Sequence, residues 1–204
     1  MIITIGREFG SGGRELGRKL AEKLGIAYYD KEIIPAIAKN ASLSEQYVKQ
    51  VVDRNPHEIL SVSVAHTFAY IDTYGIQQKQ KIYSEQENVV KKMAAESDCV
   101  IVGRCADYIL RDQHPFNIFV YANMDSKVKR CYSRMAEGET MPEKKLIKKI
   151  KAIEKNREKY YNYYTGRKWG EKLNYDICIN TSDANIDEVV EGLAEMLKTK
   201  KIVK

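Results

Sequence analysis

Apolar residues gather in five short runs along the chain: Ile2–Ile5, Ile26–Tyr29, Cys99–Val102, Asn117–Tyr121 and Asp176–Ile179. Several of these runs are β-branched and apolar on both parities, as strands covered on both faces are. After the first run, Leu16, Leu20 and Leu24 recur every four residues. They give Arg14–Leu24 one apolar face, a helix that Gly25 closes from a C-cap position. Strand, helix, strand in that order dictates a parallel pair with a right-handed crossover. Five strands alternating with helices therefore predict a three-layer α/β sandwich built on a five-stranded parallel sheet.

From Lys31 to Asp98 the pattern turns wholly helical, and Ser42-Leu43-Ser44-Glu45 offers a helix start at Ser42 or Ser44. Ile59–Ile76 is unusually apolar for a surface helix, so it is either a buried core helix or a face on which two copies of the chain pair as a homodimer. Proline is scarce, and neither an internal repeat nor a low-complexity linker interrupts the sequence. The 204 residues thus read as one domain. Its core falls at 1–30, 98–122 and 174–204, interrupted by a helical insert at 31–97 and a basic segment at 123–173.

Composition adds limits. With 44% hydrophobic and 30% charged residues, the chain can bury a core and keep a charged surface. No stretch approaches the ~20 consecutive apolar residues of a membrane helix. The apolar run Met1–Ile5 is too short for a signal peptide and leads straight into glycines, so a cytoplasmic location and no membrane partner are expected. Cys99, Cys105, Cys131 and Cys178 form no C-x-x-C pair and read as reduced, mostly buried thiols. With His57, His66 and His114 scattered, zinc is not expected.

The charge is unevenly spread. From Met141 to Lys172, nine lysines and two arginines face four glutamates, a local excess of +7 against +6 for the whole chain. Such a patch suits an anionic partner, whether nucleotide phosphates, nucleic acid or an acidic surface; on composition alone it is also an ordinary solvated helix.

The most informative stretch is Gly6-Arg7-Glu8-Phe9-Gly10-Ser11-Gly12-Gly13-Arg14-Glu15, which follows a strand and opens a helix. Glycines let a tight turn aim several N–H groups at one anion, and the helix start adds unpaired donors and a positive dipole end. Helix starts disfavour cations, so Arg14 there points to a bound anion. The phosphate-loop template G-x-x-x-x-G-K-[ST] is not met. Gly6 and Gly12 stand one residue too far apart, Gly13 takes the lysine position, and Arg14 takes that of the hydroxyl. Arg14 or Arg7 could supply the missing charge, and Ser11 or Glu15 could approach a metal. The G-x-G-x-x-G dinucleotide fingerprint also fails, because Glu15 stands where its last glycine belongs, although Asp30 mimics its ribose-binding acid.

On these residues the chain resembles the cytidylate kinase-like family of P-loop nucleoside monophosphate kinases, in a divergent branch. Ile2–Ile5 with Gly10-Ser11-Gly12 is similar to the family's first strand and loop, and Ala21–Gly25 with Tyr28-Tyr29-Asp30 to its first helix and second strand. Val102-Gly103-Arg104 is similar to the end of the third strand, with Cys105 in place of the family's aspartate and Asp107 two positions on. Asn117–Ala122 with Lys127–Arg134 resembles the fourth strand and the start of the lid, and Ile177–Val190 the fifth strand and last helix. Residues 31–98 match no cytidine-reading insert.

The resemblance implies a phosphotransferase using ATP and magnesium on a small acceptor, most naturally a nucleoside monophosphate such as CMP or dCMP. Gly10, Ser11, Gly12, Gly13 and Arg14 would bind the donor phosphates, and Arg104, Asp30 and Asp107 would bind the acceptor. Arg14, Arg104, Arg130, Arg134, Arg157 and Arg167 would neutralise the transferring group. Arg130 and Arg134, spaced i, i+4, would share one helix face. The basic stretch holding Arg157, Lys159, Arg167 and Lys168 is interleaved with Tyr160, Tyr161, Tyr163, Tyr164 and Trp169, and Leu146, Ile150 and Ile153 stripe its helix. By the resemblance it is a closing lid, and a nucleic-acid partner is not expected; read without it, stacking of bases on the tyrosines ranks equally. Two other readings stay open. One is a nucleotide or anion sensor without catalysis on a kinase scaffold, the other a structural role for Asp30, Asp107 and Arg104 in helix caps or ion pairs.

Overall fold

In a computed structural model, which describes residues 1–53, 73–136 and 139–200, the five apolar runs all become strands. β1 (Ile2–Arg7), β2 (Ala27–Tyr29), β3 (Cys99–Val102), β4 (Phe116–Tyr121) and β5 (Ile177–Asn180) form one parallel sheet in the order β2-β3-β1-β4-β5. β1 lies at the centre, with Ile5 beside Val102 of β3 and Ile118 of β4. The chain thus leaves β1 between strands that come later in sequence, and the loop after it opens at the sheet's carboxyl edge, where open α/β sheets hold ligands.

Both faces of the sheet are covered, which makes three layers. On one face Ile3, Ile5, Val100, Val102, Ile118 and Val120 meet Leu16 and Leu20 of α1 (Gly13–Leu24) and Val190, Leu193 and Leu197 of α8 (Ile186–Lys200). On the other, Cys99 and Ile101 meet α2 (Ile33–Ala41), α3 (Glu45–Asp53) and α4 (Thr73–Glu96) through Ile33, Ile37, Val48, Ile82 and Val90. The helices within 31–97 therefore share a core with β3. Gly25 closes α1 at φ 64°, and its amide bonds the carbonyls of Ala21 and Glu22. Of the two serines offered as a helix start, Ser44 fills the role, its Oγ accepting from the Tyr47 amide at 3.2 Å. Ser42 instead ends α2 in the left-handed conformation at φ 57°.

The short α5 (Ala106–Ile109) follows β3, and α6 (Met124–Tyr132) follows β4. Most of the lysine-rich stretch from Met141 to Lys172 forms one continuous helix, α7 (Glu143–Thr165). Its first half closes a small apolar cluster, with Leu146 and Ile150 against Val128 of α6 and Phe9 of the loop after β1. Its second half enters the main core: Tyr160 and Tyr161 are buried, and Tyr164 stacks on Tyr83 with centroids 4.1 Å apart. Trp169 sits edge-on to Phe119. Tyr163 is the exposed ring of this aromatic set, so the helix presents no platform of tyrosines on which bases could stack. Most of the apolar stretch 59–76 lies outside the described residues. Among them, no helix is long and apolar enough to cross a membrane.

Candidate functional site

The loop from Glu8 to Gly12 is fixed at both ends by its own polar groups. The Glu8 amide donates to the Val120 carbonyl at 3.0 Å, and its carboxylate accepts from the Ala122 amide at 3.1 Å and from Lys127 Nζ at 2.7 Å. Ser11 Oγ donates to the Glu8 carbonyl at 3.0 Å, and Thr181 Oγ1 donates to the Ser11 carbonyl at 2.6 Å. Lys127 also holds Glu154 of α7 at 2.7 Å. Burial pulls its pKa down, but the bonds from Glu154 and Glu8 outweigh that pull and leave it raised. The loop's carbonyls and carboxylate are thereby engaged behind it. Its glycines turn outward at φ 76° for Gly10 and 86° for Gly12. No side chain caps α1, and the amides of Gly10, Gly12, Gly13 and Arg14 find no acceptor among the described residues. Unpaired donors gathered at a helix start form an anion cradle.

Cations surround this cradle. A cleft of about 500 Å³ is lined by Gly10, Gly12, Gly13, Lys149 and the guanidinium-bearing Arg7, Arg14, Arg130, Arg134 and Arg157. Arg7 leaves the end of β1 with its side chain only 14% exposed and its nearest carboxylate, Asp30 Oδ1, at 3.5 Å. Burial first, then Arg157, pushes its pKa down to about 9, against an opposing pull from Asp30. Arg157 donates from Nη1 to the Arg7 carbonyl at 3.2 Å and lies over the Phe9 ring at 5.6 Å. It has no carboxylate at ion-pair distance among the described residues, and burial beside Arg104 and Arg14 lowers its pKa to about 10. Arg130 donates from Nη2 to the Thr181 carbonyl, while its Nη1 is buried without a partner. Burial and Arg134 lower its pKa as well.

The expected site residues divide into those the cleft gathers and those it does not. Gly10, Gly12, Gly13, Arg14, Arg130, Arg134 and Arg157 line it, while Ser11 is buried behind the loop. Arg134 does so from the turn after α6 rather than from its helix face, and Glu15 holds its Nη2 at 2.5 Å. Arg14 is 54% exposed and tied to Asp30, Nε to Oδ2 at 2.6 Å. Asp30 is therefore the partner of Arg14 and Arg7, facing cations and not open space.

Arg104 sits at the β3 edge, where Gly103, Arg104 and Cys105 are all left-handed, at φ 76°, 56° and 55°. Left-handed backbone costs a non-glycine residue about 1–2 kcal/mol, and such strain gathers at functional sites. The turn is held by Gln86, whose Nε2 donates to the Arg104 carbonyl at 2.9 Å, and Arg104 Nη1 lies 3.4 Å from Asp53.

Two further expected residues do not line the cleft. Asp107 is 7% exposed and accepts from Tyr161 Oη at 2.6 Å, and burial raises its pKa. It is an acid buried in the core against Tyr161. Arg167 follows the end of α7 at Gly166, where φ reaches 67° and the chain turns away; its guanidinium lies over the Tyr108 ring at 5.3 Å, outside the cleft. The sequence reading missed Lys127, Glu8 and Thr181. A lysine between Ser126 and Val128, three residues into a helix, gives no local hint that it ties the loop to α7.

The residues present fit a polyphosphate: unpaired amides, a guanidinium nitrogen buried without a partner, and an arginine without a carboxylate. They do not offer magnesium a ready set of ligands. Among the described residues no cluster of three metal-ligating side chains exists, and Glu8, Glu15 and Asp30 are each already paired with a cation.

Comparison with known proteins gives the chain a family and a fold. Residues 2–183 match the model of the Cytidylate kinase-like family. Among curated proteins none matches the sequence. An uncharacterized protein from Eubacterium ventriosum ATCC 27560 is similar in structure at TM-score 0.68 and 29% identity, covering 97% of this chain and 98% of that one. The shikimate kinase of Bacteroides thetaiotaomicron shares the fold at TM-score 0.57 and 14% identity, with 97% and 98% covered. A sugar kinase from Janibacter sp. HTCC2649 does so at 0.52 and 12%, with 97% and 94% covered.

Proposed function

The chain belongs to the cytidylate kinase-like family, and on that premise we propose that it transfers the terminal phosphoryl group of ATP to a small acceptor, a nucleoside monophosphate such as CMP or dCMP. The observation that carries this reading is the uncapped start of α1, whose free amides line a cleft together with Arg157 and Arg130, neither of which has a carboxylate at ion-pair distance among the described residues. Transfer of this kind needs positioning and charge neutralisation more than covalent work by the protein.

In this reading the amides from Gly10 to Arg14 hold the donor phosphates, and Arg157 and Arg130 neutralise charge that grows on them. Arg104, on the strained turn at the β3 edge, holds the acceptor's phosphate. An acceptor phosphate oxygen attacks the terminal phosphorus, the bond to the bridging oxygen breaks, and ADP leaves with that electron pair. Magnesium, carried in by the nucleotide on its phosphate oxygens, supplies further charge neutralisation when bound; no protein ligand for it is assigned. A cytosolic site of action accompanies this substrate class.

A second reading keeps the same site without the chemistry. The absence of the lysine and hydroxyl of the phosphate-loop template favours a sensor that binds ATP and transfers nothing. One assay separates the two: coupled ADP release with CMP, dCMP and UMP as acceptors, beside direct ATP binding. The proposal expects acceptor-dependent ADP release. Binding without turnover at enzyme levels comparable to substrate would leave the sensor, and no ATP binding would remove both.

A further inference from the structure

Gly13 opens α1 at the position where the phosphate-loop template places its lysine. The reason for a glycine there is steric. A Cβ on Gly13 would lie 2.7 Å from Arg7 Cβ and 3.2 Å from Val120 Cβ, so the position is closed to any side chain by the stem of Arg7. The far end of the same side chain shapes a second glycine. A Cβ on Gly103 would lie 2.0 Å from Arg7 Nη1, so the guanidinium lies directly across the Gly103 backbone. Arg7 thus runs from beneath the helix start to the carboxyl end of β3, spanning the gap between the donor cradle and the β3 turn that carries Arg104.

Arg14, the other candidate for the missing charge, is differently placed. It is more than half exposed, and Asp30 holds it closely through Nε. Arg7 reaches the same carboxylate only at 3.5 Å. A guanidinium that is buried, shares its one carboxylate with Arg14 and lies beside other arginines is costly until an anion arrives. Burial and Arg157 push its pKa down to about 9, the electrostatic trace of that cost.

We infer that Arg7, buttressed by Arg157, takes the place of the phosphate-loop lysine: the cation that grips the transferring phosphate enters from the end of β1, and Gly13 and Gly103 are glycines to let it pass. Arg14, paired with Asp30, closes the side of the cradle. The inference rests on the reading of the cleft as a phosphate site. A guanidinium fork can bond an oxygen of each of two adjacent groups, which a lysine's point charge does less directionally. The transfer itself is unchanged in bonds made and broken.

The test uses the whole chain and Mg·ATP as probe, with affinity read by calorimetric titration and folding by circular dichroism. Loss of one charge-assisted contact to phosphate is worth about 10–100-fold in affinity. Arg7→Met, which keeps the stem, is expected to weaken ATP by that factor, and Arg14→Met by about 3-fold. Gly13→Lys alone is expected to disrupt the loop, because the lysine has no room. Arg7→Gly combined with Gly13→Lys frees that room and is expected to recover binding to within about 10-fold of the unaltered protein, a reciprocal rescue that a merely structural Arg7 would not give. If Arg7→Met fails to fold, the double variant and Arg7→Lys still decide. Arg7→Lys is expected to bind ATP within about 5-fold, with the larger loss in turnover. Unchanged affinity in Arg7→Met with a large loss in Arg14→Met overturns the inference, as does a folded double variant that does not bind. Failure of the unaltered protein to bind ATP is a separate outcome, which overturns the phosphate-site reading and this inference with it.

Discussion

At the scale of single residues, Arg157 shows how this site trades stability for function. Its guanidinium is set among Arg7, Arg14 and Arg104 and, among the described residues, makes one hydrogen bond, to a carbonyl. A charge held this way opposes folding until a ligand neutralises it. Arg157→Met is expected to lower ATP affinity about 10–100-fold while raising the melting temperature of the ligand-free protein by a few degrees. The sign follows from linkage. A base whose pKa falls to about 10 in the folded state keeps its proton more readily in the unfolded chain. The cost is therefore present in full below about pH 10 and fades as pH rises from there towards the ordinary arginine value. Melting curves from pH 7 to 10.5 check it. The variant's advantage should be steady up to about pH 9 and then shrink, and a variant that melts lower throughout would contradict the account.

At the scale of elements, Lys127 decides whether the loop keeps its shape. One ammonium holds Glu8 of the loop and Glu154 of α7, and its own side chain is 6% exposed. Lys127→Met leaves two carboxylates facing each other across a half-buried gap. The expected loss is about 2–4 kcal/mol of stability, read by urea denaturation, with weaker ATP binding because Glu8 no longer fixes the turn. An unchanged midpoint would remove Lys127 from the account. Nothing in the sequence around Lys127 shows this role, because both partners lie on other elements.

What was legible in the sequence had a local cause. The strands were visible because runs such as Cys99–Val102 are apolar on both parities, and β1, loop and α1 because glycines sit between a strand pattern and a leucine stripe. Gly25 was readable as a cap because a left-handed helix end needs a glycine. Arg167 was misplaced because spacing puts it on the same basic stretch as Arg157, while the turn at Gly166 sends it to Tyr108. The charge count over the basic segment said nothing of direction, and the tyrosines that suggested a stacking surface are mostly core. Arg14 is legible as a cation at a helix start; that Asp30 pairs it closely and meets Arg7 only at 3.5 Å depends on β2 lying two strands from β1, which no local pattern states.

At the scale of the molecule, the strand order explains why the chemistry collects in one place. β1 lies between β3 and β4, so the loop after it, the strained turn at Gly103–Cys105, Arg130 of α6 and Arg134 just beyond that helix all meet at one edge of the sheet. α7 reaches the same edge with Arg157 and anchors in the core with Tyr160 and Tyr161, so cleft and core share one helix. The most direct test of the account is a crystal structure of the protein with a non-hydrolysable ATP analogue and magnesium. The triphosphate is expected on the amides from Gly10 to Arg14, with Arg157, Arg130 and Arg7 within hydrogen-bonding reach of its oxygens. A cradle left empty while the nucleotide binds elsewhere, or a triphosphate that turns away from those arginines, would contradict it.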